Sequence, residues 1–293
     1  MANLKDIRIR INSVRTTRQV TSAMKMVSAA KLKKAQDDVE HIRPFVGKLL
    51  EIVNFLGHSV DDIEERFAGF RVSQKGKVLI VPIASNKGLA GAFNSNVTKE
   101  VERLINTELH DEYVSGNVDI TPIGKQVMKS LNAHHIKLKG DRNALLDSMS
   151  QVNAYKVASE LTASFNSGEY KRIILVHNEF VNAAIQNIAS TQLLPLALTD
   201  DESKSEYYDF IIEPNKEVVL AALVPQAINS LFYSTMLESA AAEHGARMTS
   251  MHKATDNATE LLGELQLQYN KARQGAITNE LIEIVSGAEA LKN

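Results

Sequence analysis

Both ends of this chain carry apolar stripes at helical spacing that run too long for a compact domain to enclose. At the N-terminus, from about residue 3 to 57, Leu4, Ile7, Ile11 and Val14 recur at steps of three and four, and Ala35, Val39, Ile42, Val46, Leu49, Val53 and Leu56 keep a heptad rhythm. The segment predicts one helix of roughly 80 Å, with a kink or short interruption at Pro44. At the C-terminus a second helix is expected from about 215 to 287, roughly 105 Å long, with Pro225 near its start. Helices of these lengths belong to a coiled coil or a bundle.

Between them the period changes. "KVLIVPIA" (77–84) is a continuous apolar run, the mark of a strand buried on both faces. "GLAGAFN" leads into a helix at about 92–108, "VDITPIG" (118–124) is a second strand, and a short helix follows near 125–133. An amphipathic helix over 153–168 closes at Gly168. Strands at 171–180 and 183–196 are joined tightly enough to be antiparallel, and an acidic loop (198–206) leads to a last strand over 207–214. Strands alternating with helices predict an α/β layer structure, Rossmann-like, carried by an antiparallel coiled coil of both termini. The expected divisions are 1–57 (first rod), 58–76 (linker), 77–213 (α/β domain) and 214–293 (second rod).

The two rods do not match in length. Set side by side and antiparallel, they put Met24 beside Arg247 and Met248, and Leu4 beside Gln268. The first rod ends there, while the second continues for about 17 residues, roughly 25 Å. Its stripe (Leu262, Leu265, Tyr269, Ala272, Ala276) slips by one position and resumes as Ile277, Leu281, Ile284 and Ala288. An exposed stripe of that kind needs a partner. A second copy of the chain or a foreign socket would serve, and composition does not choose between them.

Residues 1–36 hold nine Lys or Arg against a single acid, Asp6, in a chain of net charge −2. The middle of this stretch, "TTRQVTSAMKMVSAAK", is short of bulky side chains apart from Met24 and Met26. It reads either as a solvated basic face or as a slim shaft facing acidic partners. The near-neutral total implies no bulk attraction to nucleic acid. With no cysteine there are no disulfides, thiolate metal sites or cysteine nucleophiles, which fits a reducing compartment. No apolar run is expected to span a bilayer. The basic N-terminus is read as part of the mature protein, because its pattern continues past any plausible cleavage site.

Signs of chemistry are sparse. "SNKGLAGAFN" (85–94) sits where phosphate loops sit but lacks the spacing of either common glycine-rich motif, and it reads as a tight turn and helix start. The eight histidines do not cluster: His134 and His135 are adjacent, His244 and His252 lie on the last helix without a third ligand, and His177 alone stands beside a carboxylate, Glu179, near an expected strand end. The spacing predicts no metal site, no cofactor and no nucleophile–base set.

"TSAMKMVSAAKLKKAQ" (21–36), "SNKGLAGAFN" (85–94) and "ATDNATELLGELQLQYNKARQGAITNELIEIVSGAEAL" (254–291) resemble the γ subunits of bacterial F-type ATP synthases, in order along the whole chain. The resemblance implies a non-catalytic central rotor stalk of the ion-translocating ATPase. Its coiled coil would turn inside a head of α and β subunits, and its α/β domain would rest on the c ring beside the ε subunit. It implies peripheral attachment to the cytoplasmic face of the bacterial plasma membrane, no nucleic acid and no homo-oligomer. By motif, Met24 and Lys25 fall where the shaft nears an acidic loop of β, and Arg247 is a basic residue across the coil. Gln274 and Thr278 match polar contacts to the head, and Ile277, Leu281 and Ile284 would lie in its bore. Phe210 and Glu213 would meet the c ring, although Phe210 replaces a tyrosine and so offers no phenolic hydrogen bond. Ala90, in "GLAG", replaces a cysteine common in bacterial members, and with no cysteine-bearing insert no thiol regulation is expected. A non-rotary coiled-coil scaffold and an enzyme working through the α/β domain are the competing readings.

Overall fold

The computed structural model describes residues 4–198 and 211–290. In chain order the helices are α1 (Leu4–His58), α2 (Ile63–Arg66), α3 (Phe93–Asn106), α4 (His110–Val114), α5 (Lys125–Ala133), α6 (Gln151–Asn166) and α7 (Lys216–Ala290). The strands are β1 (Lys77–Pro82), β2 (Val118–Ile120), β3 (Tyr170–Phe180) and β4 (Gln186–Leu194). The chain divides into two compact units: Met1–Ser28 with Met248–Asn293, and Ala29–Arg247.

The larger unit is built on a four-stranded sheet in the order β2-β1-β3-β4. β1 pairs in parallel with both β2 and β3, and β3 pairs antiparallel with β4. Alternation along the strands sorts side chains to two faces. Leu79, Val81, Ile173 and Leu175 join Ala154, Ala158 and Leu161 of α6, Val53 and Leu56 of α1, and Leu220, Ile228 and Phe232 of α7 in one core. Val78, Ile80, Ile120 and Val176 form a second core with Phe93, Val97 and Val101 of α3 and Val127 and Leu131 of α5. Covered on both faces, β1 can be apolar throughout, and it is buried from Val78 to Pro82.

Local chemistry sets several boundaries. The Ser150 hydroxyl accepts from the Asn153 amide (3.2 Å) and caps α6. The Asn215 side-chain oxygen accepts from the Val218 amide (2.8 Å) and starts α7. Gly124, before α5, has φ +123°, and a Cβ there would lie 2.4 Å from the Ala84 carbonyl oxygen. No other residue fits that crossing of β1 and the β2–α5 turn.

In the smaller unit α1 and α7 run antiparallel. Ile7, Ile11, Leu262 and Leu265 form its core, with Val14, Tyr269 and Ala272 packed against it.

Several expectations need correction. α1 continues through Pro44 without interruption. β2 stops at Ile120; α2 and a 3-10 turn, Ala68–Phe70, lie within residues 58–76. The helix expected to 108 ends at Asn106, and α4 follows it. Of the strand expected at 207–214, residues 207–210 lie outside the described residues, and 211–214 are not strand. α7 also holds an 18-residue window of mean hydropathy 1.4, long and apolar enough by length and composition to cross a membrane; 44% of that window is buried inside the protein.

Candidate functional site

The smaller unit carries most of the residues expected to meet partners. Thr255 donates a hydrogen bond to the Thr21 hydroxyl (2.8 Å), and Lys25 Nζ lies 3.3 Å from His252 Nδ1. Met24 and Lys25 are half-buried, and Met26 is exposed. The register differs from the expected one: Thr21 meets Thr255, about one helical turn beyond Met251, the position inferred from the sequence. A slip of one turn keeps the same stripes in contact, so apolar spacing alone does not fix it. A shallow groove of about 490 Å³ follows, lined by Arg18, Ser22, Ala23, Met26, Thr255 and Thr259. The small side chains Ser22 and Ala23 are part of its lining, so the surface is slim as well as polar. Arg8, Arg10 and Arg15 are exposed, and among the described residues they form no ion pair.

Beyond Ala272 every described side chain of α7 is exposed, to residue 288. Ile277 is 49%, Leu281 57% and Ile284 62% exposed, and Ile282 and Val285 are similarly bare. Gln274 and Thr278 are exposed as well, and the Thr278 hydroxyl donates to the Gln274 carbonyl (2.9 Å). That bond uses the hydroxyl's proton inside the helix and leaves its lone pairs and the Gln274 amide outward. The stripe thus has no cover among the described residues, as its length predicts.

Arg247 belongs to the larger unit and is only 7% exposed. Its Nη1 donates to Glu243 Oε1 (2.7 Å), its Nη2 to the Lys87 carbonyl (3.1 Å) and its Nε to the Gly88 carbonyl (3.4 Å). It ties the 85–94 turn to α7. Burial raises the Glu243 carboxyl, and Arg247 opposes that rise. His244 beside it is pushed down to about 4, by burial first and then by the charges of Arg247 and Lys31.

The turn is occupied by its own chain. The Ser85 amide donates to Asn94 Oδ1 (3.0 Å), and Ser85 Oγ contacts the Lys87 carbonyl. Asn86 bridges to the Lys125 amide (3.1 Å) and to Asp147 (2.9 Å). Leu89 and Gly91 take positive φ, +63° and +57°, which tightens the loop. The groups turned toward α7 are carbonyl acceptors bound to a guanidinium, whereas an anion cradle needs unpaired amide donors. This supports the reading of a structural turn.

Glu213 is exposed just before α7, and Phe210 lies outside the described residues. One constellation was not visible in the sequence: Glu238 of α7 comes to the end of β3, beside His177 and Glu179. The only hint was the i, i+2 spacing of His177 and Glu179; the third member is some 60 residues away in the chain.

Residues 3–291 match the family model described as ATP synthase. The chain is 49% identical to the ATP synthase gamma chain of Flavobacterium johnsoniae, over 99% of each chain. It is 41% identical to that of Geobacter metallireducens, over the whole of both. Among solved structures it resembles, in fold, a chain of the Euglena gracilis mitochondrial ATP synthase OSCP/F1/c-ring assembly, with TM-score 0.67 at 19% identity, covering 98% of this chain and 94% of that one. A chain of the Euglena rotor gives TM-score 0.62 at 18% identity, covering 94% and 98%. The family match and full-length identity at this level are decisive: the chain belongs to the ATP synthase gamma-chain family.

Proposed function

We propose that this chain is the central rotor shaft of an F-type ATP synthase, and that it transmits torque without performing chemistry of its own. The observation that carries this is the uncovered stripe Ile277, Leu281 and Ile284 on α7. Three side chains of that size, 49–62% exposed along one helix, are an association surface. The proposed cover is the bore of a head made of α and β subunits. In this reading the rods 1–57 and 214–293 form the shaft, 58–76 is a linker, and the 77–213 domain is the foot. Glu213 and Phe210 would meet the c ring, and ε would bind alongside. The chain would sit peripherally at the cytoplasmic face of the bacterial plasma membrane. It would need neither a cofactor nor a second copy of itself.

The physics of such a shaft is differential contact. It shifts a β subunit's conformational equilibrium only as far as its contacts differ between the two states. An asymmetric coil offers three surrounding subunits three different faces, and turning it exchanges them. Holding must be weak, because strong docking would stall rotation. Exposed cations such as Arg8, Arg10 and Arg15 suit this, since surface charge pairs contribute about 0–1 kcal/mol each. Met24 and Lys25 border the slim polar surface that would face an acidic loop of β. Gln274 and Thr278 would make polar contacts higher in the head, and Arg247 would act from its place against the 85–94 turn.

The test is co-purification. The full chain should co-purify with α and β subunits, and deletion of 271–293 should weaken assembly or coupling while the sheet domain stays folded. A stable dimer of the full chain, indifferent to α and β, would favour the tail-to-tail alternative and refute the rotor reading.

A further inference from the structure

A second site lies in the larger unit, where the end of β3 meets α7. A ring nitrogen of His177 and one carboxylate oxygen each from Glu179 and Glu238 lie within 4.8 Å of one another. His177 and Glu179 stand two residues apart on β3 and so leave the same face of the strand. His177 is only 3% exposed; its ring faces the Leu175 backbone, yet its Nδ1 makes no hydrogen bond of normal geometry among the described residues. An unpaired buried nitrogen costs free energy and calls for an explanation.

We propose that His177, Glu179 and Glu238 form a binding site for a divalent transition-metal ion of the Zn²⁺ class, which fastens the sheet to α7. Imidazole with two carboxylates is a donor set that such ions accept, with water filling the fourth position. Glu238 already faces one cation: Arg43 donates to its Oε1 from Nε (3.2 Å) and Nη2 (3.1 Å). Both bonds fall on the same oxygen, so the other is left for a second cation. Ligand atoms around a tetrahedral ion stand about 3.4 Å apart, given bonds of about 2.0–2.1 Å. Separations of up to 4.8 Å must therefore close toward that spacing, and Glu179, the exposed member, is the one able to move. It also gives the ion a route in from solvent.

The test uses the full-length chain, stripped with chelator and titrated with Zn²⁺ by calorimetry. One equivalent should bind and raise the melting temperature. Glu179→Gln, at an exposed position that leaves the core untouched, should weaken that equivalent at least tenfold, and His177→Gln should abolish it. Circular dichroism of each variant checks that it remains folded. If no equivalent binds, Arg43 alone neutralises the acids and the proposal fails. It also fails if Zn²⁺ binding survives Glu179→Gln unchanged, which would locate the ion elsewhere, for instance at His134 beside Glu102.

Discussion

The Arg247 Nη2 donates to the Lys87 carbonyl at 3.1 Å, so a side chain from the long C-terminal helix fastens the turn that follows the first strand. Its Nη1 holds Glu243 at 2.7 Å in the same buried corner. Removing the guanidinium leaves a buried carboxylate without its counter-charge and two carbonyls without a donor. Arg247→Ala should therefore cost about 3 kcal/mol, at the low end for breaking a buried pair. The double variant Arg247→Ala/Glu243→Gln should recover part of that loss. Urea denaturation midpoints of the three proteins decide the matter; equal losses in single and double variants would contradict it.

The exposed tail predicts a separation of stability from assembly. Ile277→Asp and Leu281→Asp change exposed side chains that join no core cluster of the described chain, so each should alter the stability of the isolated protein by less than about 0.5 kcal/mol. Both should reduce incorporation into a complex with α and β subunits by tenfold or more. Thermal melts and pull-down yields measured on the same preparations test the two halves independently.

Buried imidazoles set a pH dependence. His177 and His244 are held at about 4 by burial, against about 6.5 in an unfolded chain. Between those values the unfolded state binds more protons, so these groups make stability fall as pH drops from 6.5 to 4. Glu238 and Glu243, raised by burial, act in the opposite sense and gain stability on acidification. Comparison with His177→Gln, in metal-free buffer, removes one histidine from the balance. Relative to its own stability at pH 7, the variant should lose about 2 kcal/mol less than the parent at pH 4.5.

Gly124 gives a backbone prediction. With φ at +123° and the Ala84 carbonyl oxygen 2.4 Å from any added Cβ, Gly124→Ala should destabilise the sheet domain by about 3 kcal/mol. A loss below about 1 kcal/mol in urea denaturation would mean that the β1–α5 crossing relaxes more easily than its geometry implies.

Legibility in the sequence followed the range over which each signal acts. The heptads of α1 and α7 and the unbroken apolar run of β1 report burial repeated over many residues, and they predict the element and its environment together. Short pieces such as α2 and α4 carry too few periods to be read, and the three-residue β2 was read as a strand but not its end. Coil register was legible only modulo one turn, because Thr21 opposite Thr255 keeps the same stripes in contact as the register first inferred. The exposed tail could be foreseen because it follows from a difference in length. The grouping of Glu238 with His177 and Glu179 could not, since it depends on where α7 crosses the end of β3. The anchoring of Arg247 on the 85–94 turn was hidden for the same reason: backbone carbonyls leave no trace in composition.

The central claim is that the apolar end of α7 is sheathed by other proteins and not by this chain. Amide hydrogen exchange across 271–288 measures it most directly, in the isolated full-length chain and in its complex with α and β subunits. The account predicts rapid exchange in the free chain, independent of its concentration, and at least hundredfold slowing in the complex. Slow exchange in the free chain, or protection that disappears on dilution as a dimer dissociates, would contradict it.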